Sequence, residues 1–129
     1  MSSFLQTFLP TMRRIFILHG NSEGGRKVLM DENFFTGYRR NIIRPEEVLV
    51  WIEIPTTSPD EVFKGYKQAR RREDDIAIVN AGMFVQFQSG SRKVKDIRLS
   101  FGGMAPTTVM ATRTRNGLIG KYGSLKFPQ

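Results

Sequence analysis

Cysteine is absent from the 129 residues. That excludes a disulfide scaffold, a thiolate zinc site and Cys-ligated iron–sulfur clusters built by this chain. Histidine occurs once, at His19, so a multi-histidine metal centre or a Ser-His-Asp triad has little material. The apolar run Ile15–Leu18 is far shorter than the ~20 residues of a membrane span. The first 22 residues carry no acid. They read either as an Arg-containing transit segment or as an irregular start followed by a strand over Arg14–Leu18. What is present is ordinary for a globular chain: 40% hydrophobic and 25% charged residues. The length suits one core. Lys+Arg exceeds Asp+Glu by 20 − 12 = 8, giving a net charge of +8. Attraction to nucleic acid, an acidic surface or a phosphate-bearing ligand follows.

Patterning gives the elements. His19-Gly20-Asn21-Ser22 reads as a turn and Lys27–Met30 as a short strand. Val48–Ile54 (VLVWIEI) is almost continuously apolar, which predicts a strand buried on both faces. Thr56–Asp60 is a linker. Ser58-Pro59-Asp60-Glu61 is a capping box with proline at the first helical position, so local pattern predicts a helix over Asp60–Arg70. Ile76–Gln88 and Val94–Phe101 alternate around Ser89-Gly90-Ser91, which predicts a hairpin with one buried face. The basic, Gly-rich tail from Thr112 shows no strong period and reads as loosely held. There is no internal repeat.

No complete catalytic or metal-binding set emerges. Lys67–Asp75 (KQARRREDD) puts four cations beside three acids. It suits an anionic ligand or, equally, a self-neutralising solvated surface. Gly102-Gly103-Met104-Ala105-Pro106 could bring backbone N–H groups to a ligand or simply end a strand. Neither Gly24-Gly25 nor Gly120-Lys121 has the spacing of a dinucleotide fingerprint or a P-loop. Glu46 and Glu47 are adjacent, so on a strand they face opposite ways and make a poor acid/base pair. Trp51 reads as core. Tyr38-Arg39-Arg40 could stack on and clamp a single strand of nucleic acid, but no nucleic-acid module surrounds it.

Ordered strings add a resemblance. Asn33-Phe34-Phe35-Thr36-Gly37-Tyr38-Arg39-Arg40, Arg44-Pro45-Glu46-Glu47-Val48-Leu49, Ile52-Glu53-Ile54-Pro55, Lys67-Gln68-Ala69, Arg71-Arg72-Glu73-Asp74-Asp75-Ile76-Ala77 and Gly102-Gly103-Met104-Ala105 follow one another. Over about Gly24 to Thr114 the chain resembles the xanthine dehydrogenases, molybdenum–flavin–iron–sulfur hydroxylases, more than their aldehyde oxidase relatives. The resemblance implies an α+β fold. An incomplete FAD-binding lobe would precede a mainly antiparallel sheet of the flavoprotein C-terminal subdomain, truncated before its helices. The implied divisions are an unmatched segment 1–22, the end of the FAD-binding lobe at 23–57, and the C-terminal subdomain at 58–129. The segment around Lys67 would be extended, against the local helical pattern, because tertiary context overrides propensity.

By the same resemblance Leu49 and Lys67 contact FAD, Leu49 through apolar surface and Lys67 through its donors. Arg71 and Asp74 are further candidates where NAD approaches the flavin. No catalytic or metal-ligating residue is implied in this chain. Molybdopterin and 2Fe-2S centres belong to the full-length family, whose electrons pass from molybdenum through iron–sulfur to FAD and then NAD during purine oxidation. The implied partners are FAD and the remaining domains of a dehydrogenase, or a homodimer, without a membrane or nucleic acid. The implied compartment is cytoplasmic, with the peroxisome second. The strings that hold the FAD pyrophosphate are missing. The chain is therefore expected to be a fragment, an incomplete gene model or a truncated isoform, inactive alone. The alternative is a basic module that binds nucleic acid or protein without catalysis.

Overall fold

The computed structural model describes residues 14–20, 24–73 and 76–123. Two antiparallel sheets follow one another along the chain. The first contains β1 (Arg14–Gly20), β2 (Gly24–Met30) and β3 (Glu47–Glu53), in the order β2-β1-β3. The second contains β4 (Glu61–Ala69), β5 (Ala77–Phe87), β6 (Val94–Gly102) and β7 (Val109–Met110), in sequence order. Among the described residues one short helix, α1 (Thr112–Leu118), follows β7. A mainly antiparallel sheet of flavoprotein type is what the resemblance implies, and it is what the chain forms.

The first sheet has a core of Val28, Met30 and Phe34, with Phe35 and Ile43 against it. Phe34 comes from the β2–β3 loop. Its N–H donates to Asp31 O and its carbonyl accepts from Ile42 N, which pins the loop at both ends around the buried ring. The rings of Phe34 and Phe35 meet edge to face at 4.9 Å. Arg26 fastens the same loop. Its Nε and Nη2 donate to both carboxylate oxygens of Glu47, and Nη2 also donates to Ile42 O at 3.0 Å. Arg44 N donates to Glu47 Oε2 at 2.8 Å.

These hydrogen bonds from Arg26 and Arg44 hold the Glu47 carboxyl down at about 2. A carboxylate depressed in the folded state contributes stability above its ordinary pKa and loses it as pH falls through the folded value. The contribution therefore disappears between about pH 4.5 and pH 2. Thermal unfolding should show Glu47→Gln melting below the parent at pH 6, and the gap closing as pH approaches 2.

Sequence and structure part at four places. First, β3 forms where expected but is exposed rather than buried on both faces. Val48 is 67% and Trp51 55% exposed. As an edge strand it has a neighbour on one side only, and apolar sequence cannot reveal whether covering layers exist. The register shift opposite Ile17/Leu18 places one extra residue, Val50, between the paired Leu49 and Trp51, so the run does not alternate strictly there.

Second, the Asp60–Arg70 helical pattern gives way to β4, as the resemblance implies. The capping contact still forms, with Ser58 N donating to Glu61 Oε2 at 2.9 Å. It closes a turn instead of starting a helix, because β5 supplies an in-register partner from Glu61↔Gln86 onward.

Third, the β5–β6 hairpin turns at Gly90, whose φ is +69°. It buries both faces at its centre, since the sequence neighbours Phe84 and Val85 are both buried. Val85, Val94 and Ile97 form the core on one side. On the other, the Arg98 guanidinium covers the Phe84 ring at 4.4 Å, a cation–π contact no alternation rule foresees.

Fourth, the tail from Thr112 to Gly123 is a helix and a stitched connection, the rest of it lying outside the described residues. α1 buries no side chain, so it has no apolar stripe to recognise. Arg115 holds it, donating to Ile97 O at 3.0 Å and to Asp96 Oδ1 at 3.0 Å. Burial raises the Asp96 pKa, but hydrogen bonds from Arg115 and Arg98 outweigh that and keep it below the usual range. Beyond the helix, Gly120 N donates to Val94 O, and Val94 N donates to Lys121 O.

A candidate cofactor face

β4 is an edge of the four-stranded sheet, and its register assembles one face row by row. Residues directly opposite in antiparallel strands project to the same side. Phe63 therefore shares a row with Phe84 and Arg98. Two residues further along β4, Gly65 aligns with Gly82 and Ser100. The next row is Lys67, Asn80 and Gly102. The middle row has almost no side chain, so it forms a floor between an aromatic row and a polar one. Lys67 is exposed. Asn80 is only 5% exposed, and its Oδ1 has no hydrogen-bond partner among the described residues.

Of the residues implicated by sequence, Lys67 thus lies on this face. Arg71 is exposed in the turn that follows β4. Asp74 lies outside the described residues. Leu49 stands on β3 of the other sheet, 39% exposed, so Leu49 and Lys67 belong to different sheets. Glu47, dismissed as half of an acid/base pair, is bound up in the Arg26 clamp.

Asn80 was missed by sequence reasoning. Its signal is a carboxamide in the apolar first half of β5 (Ala77–Phe87), away from the strand-end Gln86. The structure also joins two motifs far apart in sequence, the string ending at Arg40 and the one beginning at Gly102, 102 − 40 = 62 positions on. A cavity of about 370 Å³ is lined by Phe35, Tyr38 and Arg39 on one side and by Gly102, Gly103 and Pro106 on the other. Gly103 takes φ +84°, and a Cβ there would lie 2.2 Å from the Ile78 carbonyl oxygen. Gly103 is therefore needed for the chain to fold back against β5.

Among the described residues, no cluster of three or more His, Cys, Asp or Glu could hold a metal ion. No described helix is long and apolar enough to cross a membrane.

Comparison with known proteins places this geometry. Residues 64–126 match the family described as CO dehydrogenase flavoprotein C-terminal domain. The chain is 57% identical over 107 residues to a xanthine dehydrogenase/oxidase of Gallus gallus, covering 83% of this chain and 8% of that protein. It is 57% identical over 89 residues to a xanthine dehydrogenase of Drosophila subobscura, covering 69% of this chain and 7% of that one. The fold is that of a carbon monoxide dehydrogenase from Hydrogenophaga pseudoflava, solved without the Mo-pyranopterin moiety of its molybdenum cofactor. The TM-score is 0.78 at 24% identity, over 95% of this chain and 40% of that one. The chain therefore spans less than a tenth of the length of these curated relatives. Residues 64–126 belong to the CO dehydrogenase flavoprotein C-terminal domain family, within a chain homologous to the xanthine dehydrogenases over most of its length.

Proposed function

We propose that this chain supplies part of the FAD site of a xanthine dehydrogenase-like oxidoreductase. The observation that carries the reading is the face built by β4–β6. A row of small residues, Gly65, Gly82 and Ser100, the last buried with its Oγ donating to Gly82 O, lies beside Lys67 and the unpartnered Asn80 oxygen. A planar ring with polar edges needs such a flat bed and such an edge. The exposed apolar residues of β3, Leu49 among them, offer the nonpolar contact.

FAD, when bound, supplies the two-electron chemistry that passes electrons on to NAD. The chain's own residues bind and orient. Lys67 offers up to three N–H donors to carbonyl or ring-nitrogen acceptors. Its positive charge stabilises negative charge that builds up on the cofactor during reduction. Arg71, in the exposed turn after β4, would border the side from which NAD approaches; Asp74, the other candidate, lies outside the described residues. The chain has no cysteine for an iron–sulfur centre; its part is cofactor binding within a larger dehydrogenase, with the remaining domains or a second subunit as partners.

An FAD titration followed by flavin fluorescence tests this reading. Saturable binding is expected, weakened about tenfold by Lys67→Ala, the loss of one charge-assisted hydrogen bond. Binding that Lys67→Ala leaves unchanged would remove Lys67 from the site.

A further inference from the structure

The turn that leads into the second sheet is built by half of a capping box. Ser58 N donates to Glu61 Oε2 at 2.9 Å, and Glu61 N donates to the Ser58 carbonyl at 3.0 Å. At a helix start the serine hydroxyl would accept from the residue three along. Here the carbonyl takes that bond, and the Ser58 hydroxyl is left outside the exchange on an exposed residue. Residues 54–58 belong to no strand or helix, and residues 51–59 are all exposed. Pro59 follows, which biases Ser58 toward extended backbone. No other Ser or Thr of the 129 residues precedes a proline. A hydroxyl acceptor must reach the γ-phosphate and the catalytic base of a kinase together. An exposed, extended segment outside any ladder can be laid in such a cleft without unpairing a strand.

We propose that Ser58 is the acceptor of a phosphoryl group from a proline-directed kinase, and that the modification loosens the junction between the two sheets. Ser58 Oγ attacks the γ-phosphorus of ATP. The Oγ–P bond forms, the bond from that phosphorus to the bridging β,γ-oxygen breaks, ADP leaves, and the hydroxyl proton passes to the catalytic Asp of the kinase. The product adds a charge of about −1.5 to −2 beside the Glu61 carboxylate. Glu61 also ties the turn to β5, since its Oε1 accepts from Gln86 Nε2 at 3.0 Å. Like charges oppose the contact with Ser58 N and release the turn. Leu49 stands before this junction, on β3, and Lys67 after it, on β4. The consequence for FAD therefore rests on the reading given above; the phosphoryl transfer does not.

Incubation of the folded full chain with Mg-ATP and a mitogen-activated protein kinase, read by mass spectrometry, tests the acceptor. A single phosphoryl group is expected, at Ser58. Ser58→Ala should take up none, and Pro59→Ala should lose most of the rate. Both positions are exposed, so neither change should disturb the fold. Urea unfolding tests the consequence. Phosphorylation should lower the folding equilibrium constant about fivefold, the effect of one lost hydrogen bond. In Glu61→Gln, which keeps an acceptor oxygen without the charge, phosphorylation should make little difference.

A folded chain that takes up no phosphoryl group overturns the proposal. So does uptake elsewhere with Ser58 untouched, or a rate at Ser58 that Pro59→Ala leaves unchanged. Equal urea midpoints before and after phosphorylation overturn the loosening of the junction. Where the parent binds FAD, phosphorylation should weaken that binding, and unchanged binding overturns the link between junction and cofactor face. A parent that binds no FAD would contradict the cofactor reading alone, since uptake and unfolding are measured without the cofactor.

Discussion

Replacing Phe34 by alanine should lower the folding free energy by about 3–5 kcal/mol, the range for emptying a buried aromatic site. Phe34 is fully buried and packs with Val28 and Met30. The ring also organises the chain around it. The loop that carries it is closed by hydrogen bonds from Phe34 N to Asp31 O and from Ile42 N to Phe34 O. A domain's total stability is only about 5–15 kcal/mol, so the substitution removes a large part of it. Phe35→Ala is the control. Phe35 is only partly buried at the edge of the same cluster, and its loss should cost distinctly less. Urea unfolding of the two variants measures the difference. Equal midpoints would mean that Phe34 is not the centre of that core.

Gly103→Ala should be comparably severe for a different reason. The backbone at Gly103 has φ +84°, a conformation that costs a residue with a Cβ about 1–3 kcal/mol. The added methyl would also sit 2.2 Å from Ile78 O. That atom is backbone of the adjoining β5 and cannot rotate away. The turn must open or the strand must shift, giving a total on the order of 3 kcal/mol or more. Gly90→Ala separates the two causes. Gly90 has φ +69° with nothing within 4 Å of an added Cβ, so it carries the conformational cost alone, about 1–2 kcal/mol. If both variants unfold at the same urea concentration, the close approach of Gly103 to Ile78 is not what the glycine is for.

β1, β3, β5 and β6 were legible from apolar, alternating or β-branched content, and the family from ordered strings. What sequence could not show is what covers each element. Val48–Ile54 reads as core because it is apolar, yet it is an exposed edge; composition records a residue's preference, not the presence of a neighbour. Ser58–Glu61 is a sound local helix signal that β5 overrides by offering a complete ladder. α1 is invisible to periodicity because Arg115, not an apolar stripe, anchors it through Ile97 and Asp96. For the candidate site, the charged run from Lys67 to Asp75 was visible in the sequence, but the FAD contact of Lys67 was reached only through the resemblance. Asn80 needed the register, since a cross-strand row joins residues whose sequence positions say nothing of each other. Leu49 and Lys67 lie on separate sheets, so no spacing rule could have paired them.

Trp51 is the chain's single tryptophan, and it lies on β3 beside the Leu49 segment. Its emission overlaps flavin absorption, so FAD bound near β3 must quench it. The most direct test is a titration with FAD that follows Trp51 and flavin fluorescence together, on parent and Lys67→Ala proteins with matching far-UV spectra. The account predicts saturable Trp51 quenching with the same midpoint as the flavin signal, and a midpoint about tenfold higher for Lys67→Ala. A folded parent whose Trp51 emission falls only linearly, with no saturation in either signal, would contradict it.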